Sequence, residues 1–198
     1  FWDGGTAGDE VPYLVMEYID GRTLVEYAEG LAVGEKLDLV ASICDAVHHA
    51  HLRGVVHRDL KPANILVGAN AAPRILDFGV ARVTSSDLEV RTLTSDVGGL
   101  IGTIPYMSPE QLLRDARELD ARSDVYAIGV ILHELLTGAP PHDLSGLTIP
   151  QAIDTVRDAS IASVATHDRT LRGDVETIVA RALEKDRERR YPTAAALA

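Results

Sequence analysis

The sequence predicts an α+β fold that is mostly helical, with strands confined to the opening residues and one internal hairpin. Three observations predict it. Short apolar runs of strand length occur near the start and again between Ile65 and Leu76. Apolar residues at helical spacing run through Glu35 to Arg53, Val125 to Leu136 and Leu171 to Glu184. Between Asp77 and Glu110 neither period holds, and the stretch is rich in Thr, Ser, Asp and Gly. Loops of that length within a domain are usually functional or disordered.

Taken in order, Phe1-Trp2-Asp3 reads as the end of a strand and Thr6 to Pro12 as a polar loop. Tyr13 to Ile19 reads as a strand buried on both faces, ended by a turn at Asp20-Gly21. In the first long helix, Leu37, Val40, Ala41, Cys44, Val47 and Ala50 keep helical spacing, and Gly54 follows as a left-handed cap. His48, His49 and His51 crowd the same helix but diverge in direction, with no acid or cysteine at ligand spacing. They read as solvated or locally hydrogen-bonded rather than as metal ligands. Ile65-Leu66-Val67, a turn from Gly68 to Pro73, and Arg74-Ile75-Leu76 make a hairpin. Ser123 is a good N-cap for a helix whose residues Val125 to Leu136 are apolar almost all round, the mark of a helix surrounded by protein. Gly138 stops it and Pro140-Pro141 prevent its resumption. Leu171 to Glu184 is amphipathic through Val175, Ile178, Val179, Ala182 and Leu183. A charged turn, Lys185 to Arg190, follows, and Ala198 falls inside a last helix. No internal repeat or low-complexity tract interrupts the chain.

A length of 198 residues can bury a substantial core, and 46% apolar with 25% charged residues is ordinary for a globular protein. The net charge of −11 argues against a nucleic-acid-binding surface. Cys44 is the single cysteine, so no internal disulfide forms, which fits a reducing compartment; within its helix it reads as a small buried apolar residue. The start carries no signal-peptide pattern. The apolar run from Val125 to Leu136 is broken by His133 and Glu134 and is too short to span a bilayer. A soluble, cytoplasmic segment without membrane contact is expected.

Within twenty-three residues the chain carries His57-Arg58-Asp59, Lys61, Asn64 and Asp77-Phe78-Gly79. Asp59 is a carboxylate that can accept a proton from an attacking hydroxyl. Lys61, two positions on in an extended stretch, projects to the same side and would sit beside a transferring phosphoryl group. Asn64 and Asp77 offer hard oxygens suited to magnesium, and the hairpin between them returns the chain so that both can face one site.

The ordered pattern HRDLKPAN…DFG resembles the catalytic and metal-binding loops of eukaryotic-type protein kinases. Gly102-Thr103-Ile104-Pro105-Tyr106-Met107-Ser108-Pro109-Glu110 resembles the substrate-docking segment of that family, with Ser108 in place of an alanine. The wording of YLVMEYIDGRTL and LRGDVETIVARALEKDRERRYPT is similar to bacterial serine/threonine kinases. The resemblance implies a kinase-like fold with a strand remnant of the small lobe and hinge over residues 1–19 and the helical large lobe over residues 20–198. It implies transfer of the γ-phosphoryl group of magnesium-bound ATP to serine or threonine hydroxyls of protein substrates. Asp59 would act on the hydroxyl, Lys61 on the transferred group, Asn64 and Asp77 on the metal ions, and Thr103 would bond Asp59 and Lys61. Backbone groups of Glu17 and Ile19 would meet the adenine edge, with Met16 behind it and Leu66 beneath. Asp124 would accept hydrogen bonds from the backbone of the catalytic loop, and Glu110 would pair with Arg190. Arg58 would bind a phosphate on the long loop, with Thr84, Ser85, Ser86, Thr92, Thr94 and Ser95 as candidate acceptors.

The Gly-rich loop, strand lysine and helical glutamate of the family's amino-terminal lobe have no counterpart in these residues. The expectation is therefore a kinase fragment, truncated also in its last helix and inactive alone, from a parent carrying sensor or membrane-anchor modules elsewhere. Three alternatives stand beside it. A small-molecule phosphotransferase of the aminoglycoside type shares the Asp-to-Asn spacing but lacks the Arg58, Lys61 and Gly-Thr…Pro-Glu features. A non-catalytic kinase-like module would be distinguished by a missing strand lysine upstream. In the third, the fragment serves only as a folded core with exposed cleft surface, half of the ATP site being absent.

Overall fold

The computed structural model describes residues 3–7, 11–78, 102–113 and 120–198. Strands β1 (Asp3–Ala7) and β2 (Val11–Val15) form an antiparallel ribbon, with Asp3 opposite Val15 and Ala7 opposite Val11. The expected loop over residues 6–12 thus shrinks, and the expected strand over residues 13–19 moves toward the amino end. Two-sided burial of that strand also fails. Val15, Met16 and Tyr18 are 43, 47 and 87% exposed, because among the described residues β2 pairs only with β1.

Asp20-Gly21 was expected as a turn, but Gly21 opens a short strand, β3 (Gly21–Thr23). It pairs with β4 (Ile65–Gly68), which pairs in turn with β5 (Pro73–Ile75), both ladders antiparallel. Glycine is required at position 21, since a Cβ there would lie 2.9 Å from the Val67 carbonyl oxygen. Helix α1 (Leu24–Ala28) leaves β3 through a capping box, in which Glu26 accepts from both the Thr23 amide and its hydroxyl. Helix α2 (Val33–His51) starts two residues earlier than the periodicity suggests, with Glu35 capping the Ala32 amide at 2.8 Å. Gly54 adopts φ +74°, as the left-handed cap requires.

The carboxyl half is helical. It contains α3 (Pro109–Leu112), α4 (Ala121–Thr137), α5 (Ile149–Asp158), α6 (Asp174–Ala182) and α7 (Ala194–Leu197). The N-cap of α4 is Asp120, whose carboxylate accepts from the Arg122 amide, and not Ser123, which lies buried in the first turn. Gly138 ends α4 in the left-handed region. Helix α4 is the axis of the main core: Val125, Tyr126, Ile128, Val130 and Ile131 are fully buried, packed with α2, α6 and α7. A second apolar cluster joins Ile104, Met107 and Leu112 to Ala152 and Val156 of α5. No helix among the described residues is long and apolar enough to cross a membrane.

Candidate functional site

Residues 55–61 carry the chain from α2 to the β4–β5 hairpin, and their backbone is held from below by one carboxylate. Asp124, 1% exposed at the start of α4, accepts the His57 amide at 2.8 Å and the Arg58 amide at 2.8 Å. His51, at the end of α2, donates Nε2 to the same carboxylate at 2.7 Å. His51 therefore has a long-range partner rather than the solvated or local role expected of it. A helix N-terminus suits the negative charge of Asp124. Gln111 of α3 donates to the Arg58 carbonyl at 2.7 Å, so the loop is pinned from a second direction. Arg58 has φ +68°, a sparsely populated conformation for a residue with a side chain, which these bonds hold in place.

His57 is buried and aims at the hairpin's far end. Its Nε2 donates to the Leu76 carbonyl at 2.8 Å, its Nδ1 accepts from the Asp59 amide at 3.3 Å, and its ring lies 4.9 Å from that of Phe78. One tautomer, with the proton on Nε2, meets both bonds. The Leu76 amide also donates to the Asn64 carbonyl at 2.8 Å. Asp77, exposed and at φ +56°, is thereby set next to Asn64 although thirteen positions separate them in sequence. Gly79 and the six candidate phosphate acceptors lie outside the described residues.

On the open side, the Lys61 ammonium lies 3.3 Å from Asp59 Oδ2 and donates to Thr103 Oγ1 at 2.9 Å. Lys61 thus bridges the carboxylate and the hydroxyl. The Asn64 amide nitrogen donates to the Asp59 carbonyl at 2.8 Å and to its carboxylate at 3.3 Å. With that nitrogen committed, the oxygen is the acceptor left on the Asn64 side chain, a hard donor of the same kind as the exposed Asp77 carboxylate. Asp59 and Lys61 are 24 and 21% exposed in their side chains, partly shielded yet reachable.

The segment that presents Thr103 is anchored twice. Tyr106 donates its hydroxyl to Glu134 of α4 at 2.7 Å; burial pushes the Glu134 carboxyl up and the Tyr106 phenol further up. Glu110 receives two bonds from Arg190, at 2.7 and 2.8 Å, and one from the Ser123 hydroxyl at 2.9 Å. Burial alone would raise the Glu110 carboxyl, but the Arg190 guanidinium overcomes it and holds the group below the usual carboxylate range. Ser108 is fully buried, capping α3 with Gln111, so a small residue is needed there.

Of the four residues expected around a nucleotide base, two line one cleft among the described residues. Glu17 and Ile19 share a cleft of about 310 Å³ with Asp20, Gly68, Asn70 and Arg74. Met16 is exposed, and Leu66 sits half-buried on β4 between Thr23 and Arg74 of the neighbouring strands. His51 and Gln111 are the positioning residues that sequence reasoning missed. His51 was visible only as one of three clustered histidines, and Gln111 carried no signal.

Comparison with known proteins matches residues 6–198 to the protein kinase domain. The chain is 40% identical over 193 residues to serine/threonine-protein kinase PknB of Mycobacterium tuberculosis, covering 96% of this chain and 30% of that protein. It is 38% identical over 193 residues to serine/threonine-protein kinase PknB of Mycobacterium leprae, again 96% and 30%. With serine/threonine-protein kinase Pkn1 of Myxococcus xanthus the identity is 39% over 190 residues, 93% of this chain and 26% of that protein. The chain therefore spans less than a third of the length of these relatives. With the anchored loop, the Asp59–Lys61–Thr103 bridge and the buried Glu110–Arg190 pair in place, the match over nearly every residue is decisive: this chain belongs to the protein kinase domain family.

Proposed function

We propose that this chain supplies the phosphoryl-transfer loops of an ATP-dependent serine/threonine protein kinase. The observation that carries the reading is the placement of Lys61 between the Asp59 carboxylate and the Thr103 hydroxyl, at 3.3 and 2.9 Å. An ammonium there neutralises charge gathering on a transferred group, while Asp59 accepts the proton of the incoming hydroxyl. Asn64 holds the Asp59 carboxylate in orientation through its amide nitrogen. Asn64 and Asp77 would hold magnesium, and magnesium with ATP would supply the phosphoryl group and offset its charge. Glu17 and Ile19 backbone groups, with Met16 and Leu66, would meet the base. The substrates would be protein serine and threonine hydroxyls, since Thr103 and Lys61 together border the place where such a hydroxyl enters.

The test joins a kinase amino-terminal lobe ahead of Asp3 and measures phosphate transfer to a generic protein substrate. Asp59→Asn should keep nucleotide binding and lower the rate roughly 100- to 10,000-fold. Asp77→Asn should abolish magnesium-dependent turnover. Near-wild-type rates in both variants would remove the proposal.

A further inference from the structure

Away from the site, a cavity of about 360 Å³ opens between the segment that follows α5 and one face of α6. Its wall is apolar at Ile161, Val164, Val179 and Leu183, and Lys185 is among the residues that line it. The chain has three lysines, Lys36, Lys61 and Lys185, and Lys185 alone lines this cavity. Its amine donates to the Val156 carbonyl near the end of α5 and to His142 Nε2 at 3.0 Å. Among the described residues no carboxylate lies within ion-pair distance of it.

A neutral amine has two N–H groups and one lone pair. The two hydrogens match the two acceptors, which leaves the lone pair as the remaining tetrahedral position. The Arg190 charge favours that neutral form: its guanidinium packs behind, donating to the Lys185 carbonyl at 3.0 Å. Two groups oppose it, the Tyr126 ring of α4, 6.0 Å from the amine, which attracts an ammonium, and Asp158 of α5, which is already engaged by Arg157. Burial first, then the Arg190 charge, lowers the Lys185 amine to about 8, and burial with Lys185 itself lowers His142 to about 4. His142 therefore stays an acceptor at neutral pH.

We propose that Lys185 is a site of acylation by uncharged short-chain acyl thioesters that enter this cavity. The amine nitrogen attacks the thioester carbonyl, the C–N bond forms and the C–S bond breaks. The thiolate leaves and takes up the proton that nitrogen loses, giving an amide and a thiol. The apolar wall receives the acyl chain, and Asp158, Glu176 and Glu184 around it disfavour anionic donors. Acylation leaves one N–H where two acceptors wait, so the modification loosens the tie between the turn at Lys185 and α5.

The test incubates the chain at pH 8 with S-butanoyl-N-acetylcysteamine and follows each lysine by peptide mass spectrometry. Lys185 should acylate at least tenfold faster than Lys36, with a rate that rises through pH about 8. The preference should vanish in urea, where the cavity is gone. Ala180→Leu, a change at an exposed residue of the cavity wall, should slow Lys185 at least fivefold and leave Lys36 unchanged. A succinyl thioester should react more slowly at Lys185 than the butanoyl one. Equal rates at Lys36 and Lys185, a preference that survives urea, or no acylation at Lys185 overturns the proposal. None of these readouts involves phosphoryl transfer, so they stand apart from the fate of the kinase reading.

Discussion

Single residues in this chain act by being buried with their partners already chosen. Asp124 takes two backbone amides and an imidazole, so its removal would orphan buried donors, each costing about 1–3 kcal/mol. His142 shows the opposite economy, an imidazole kept neutral beside a lysine. Its folded value is lowered from 6.5 to about 4, so an unfolded chain takes up a proton between those values that the folded chain refuses. The stability at stake is complete above pH 6.5 and is lost as pH falls toward 4. His133, lowered by burial, adds a slope of the same sign. Urea midpoints measured from pH 7 to pH 4.5 should therefore decline, and His142→Gln should flatten part of that decline. An unchanged slope in the variant would mean that the buried imidazole is not its source. At this scale Asp59, Lys61, Asn64 and Asp77 were readable because a motif compresses them into a short span. His51 and Gln111 were not, since their partners lie 73 and 53 positions away and no local pattern encodes such a meeting.

Between elements, α4 and the end of α6 approach closely at a glycine. A Cβ added at Gly129 would lie 2.8 Å from Ala182 Cβ and 3.1 Å from a Leu183 methyl. Alanine gains about 1 kcal/mol in helix propensity over glycine, but overpacking a filled interface costs about 1–3 kcal/mol. The clash wins, because the contact at 2.8 Å is to a short side chain that cannot swing away. Gly129→Ala should lower thermal stability, and Ala182→Gly in the same chain should restore part of the loss; a more stable single variant would contradict this packing. The two strongest periodic segments, α2 and α4, were readable within a few residues, as were the hairpin and the glycine stops. Helix α5 and strand β3 were not. The apolar residues of α5 are few and pack on Ile104 and Met107 rather than on the main core. Strand β3 is three residues long and owes its existence to β4.

Across the whole molecule, Glu110 and Arg190 join two parts of the chain 80 positions apart. All five N–H donors of Arg190 are used: two on Glu110, and one each on the carbonyls of Arg122, Glu184 and Lys185. Its side chain is fully buried, over the Tyr126 ring at 4.9 Å. Arg190→Met should cost about 3–5 kcal/mol in equilibrium denaturation, since it leaves a buried carboxylate without its counter-charge, bonded only by the Ser123 hydroxyl among the side chains. Loss below about 1 kcal/mol would show that the pair is not needed for the fold.

That pair also has a bearing on time. A contact closing so long a span can form only after α4 and the turn before Arg190 have found their places, because loop-closure entropy opposes it until then. Interactions made late are absent from the folding barrier and are broken on the way out. The Glu110–Arg190 clamp should therefore act as a latch on the native state. Breaking it should leave the refolding limb of a chevron plot nearly untouched and speed unfolding about a hundredfold or more. The lifetime of the folded chain, and with it resistance to proteolysis during slow opening, would then rest largely on one arginine near the carboxyl end.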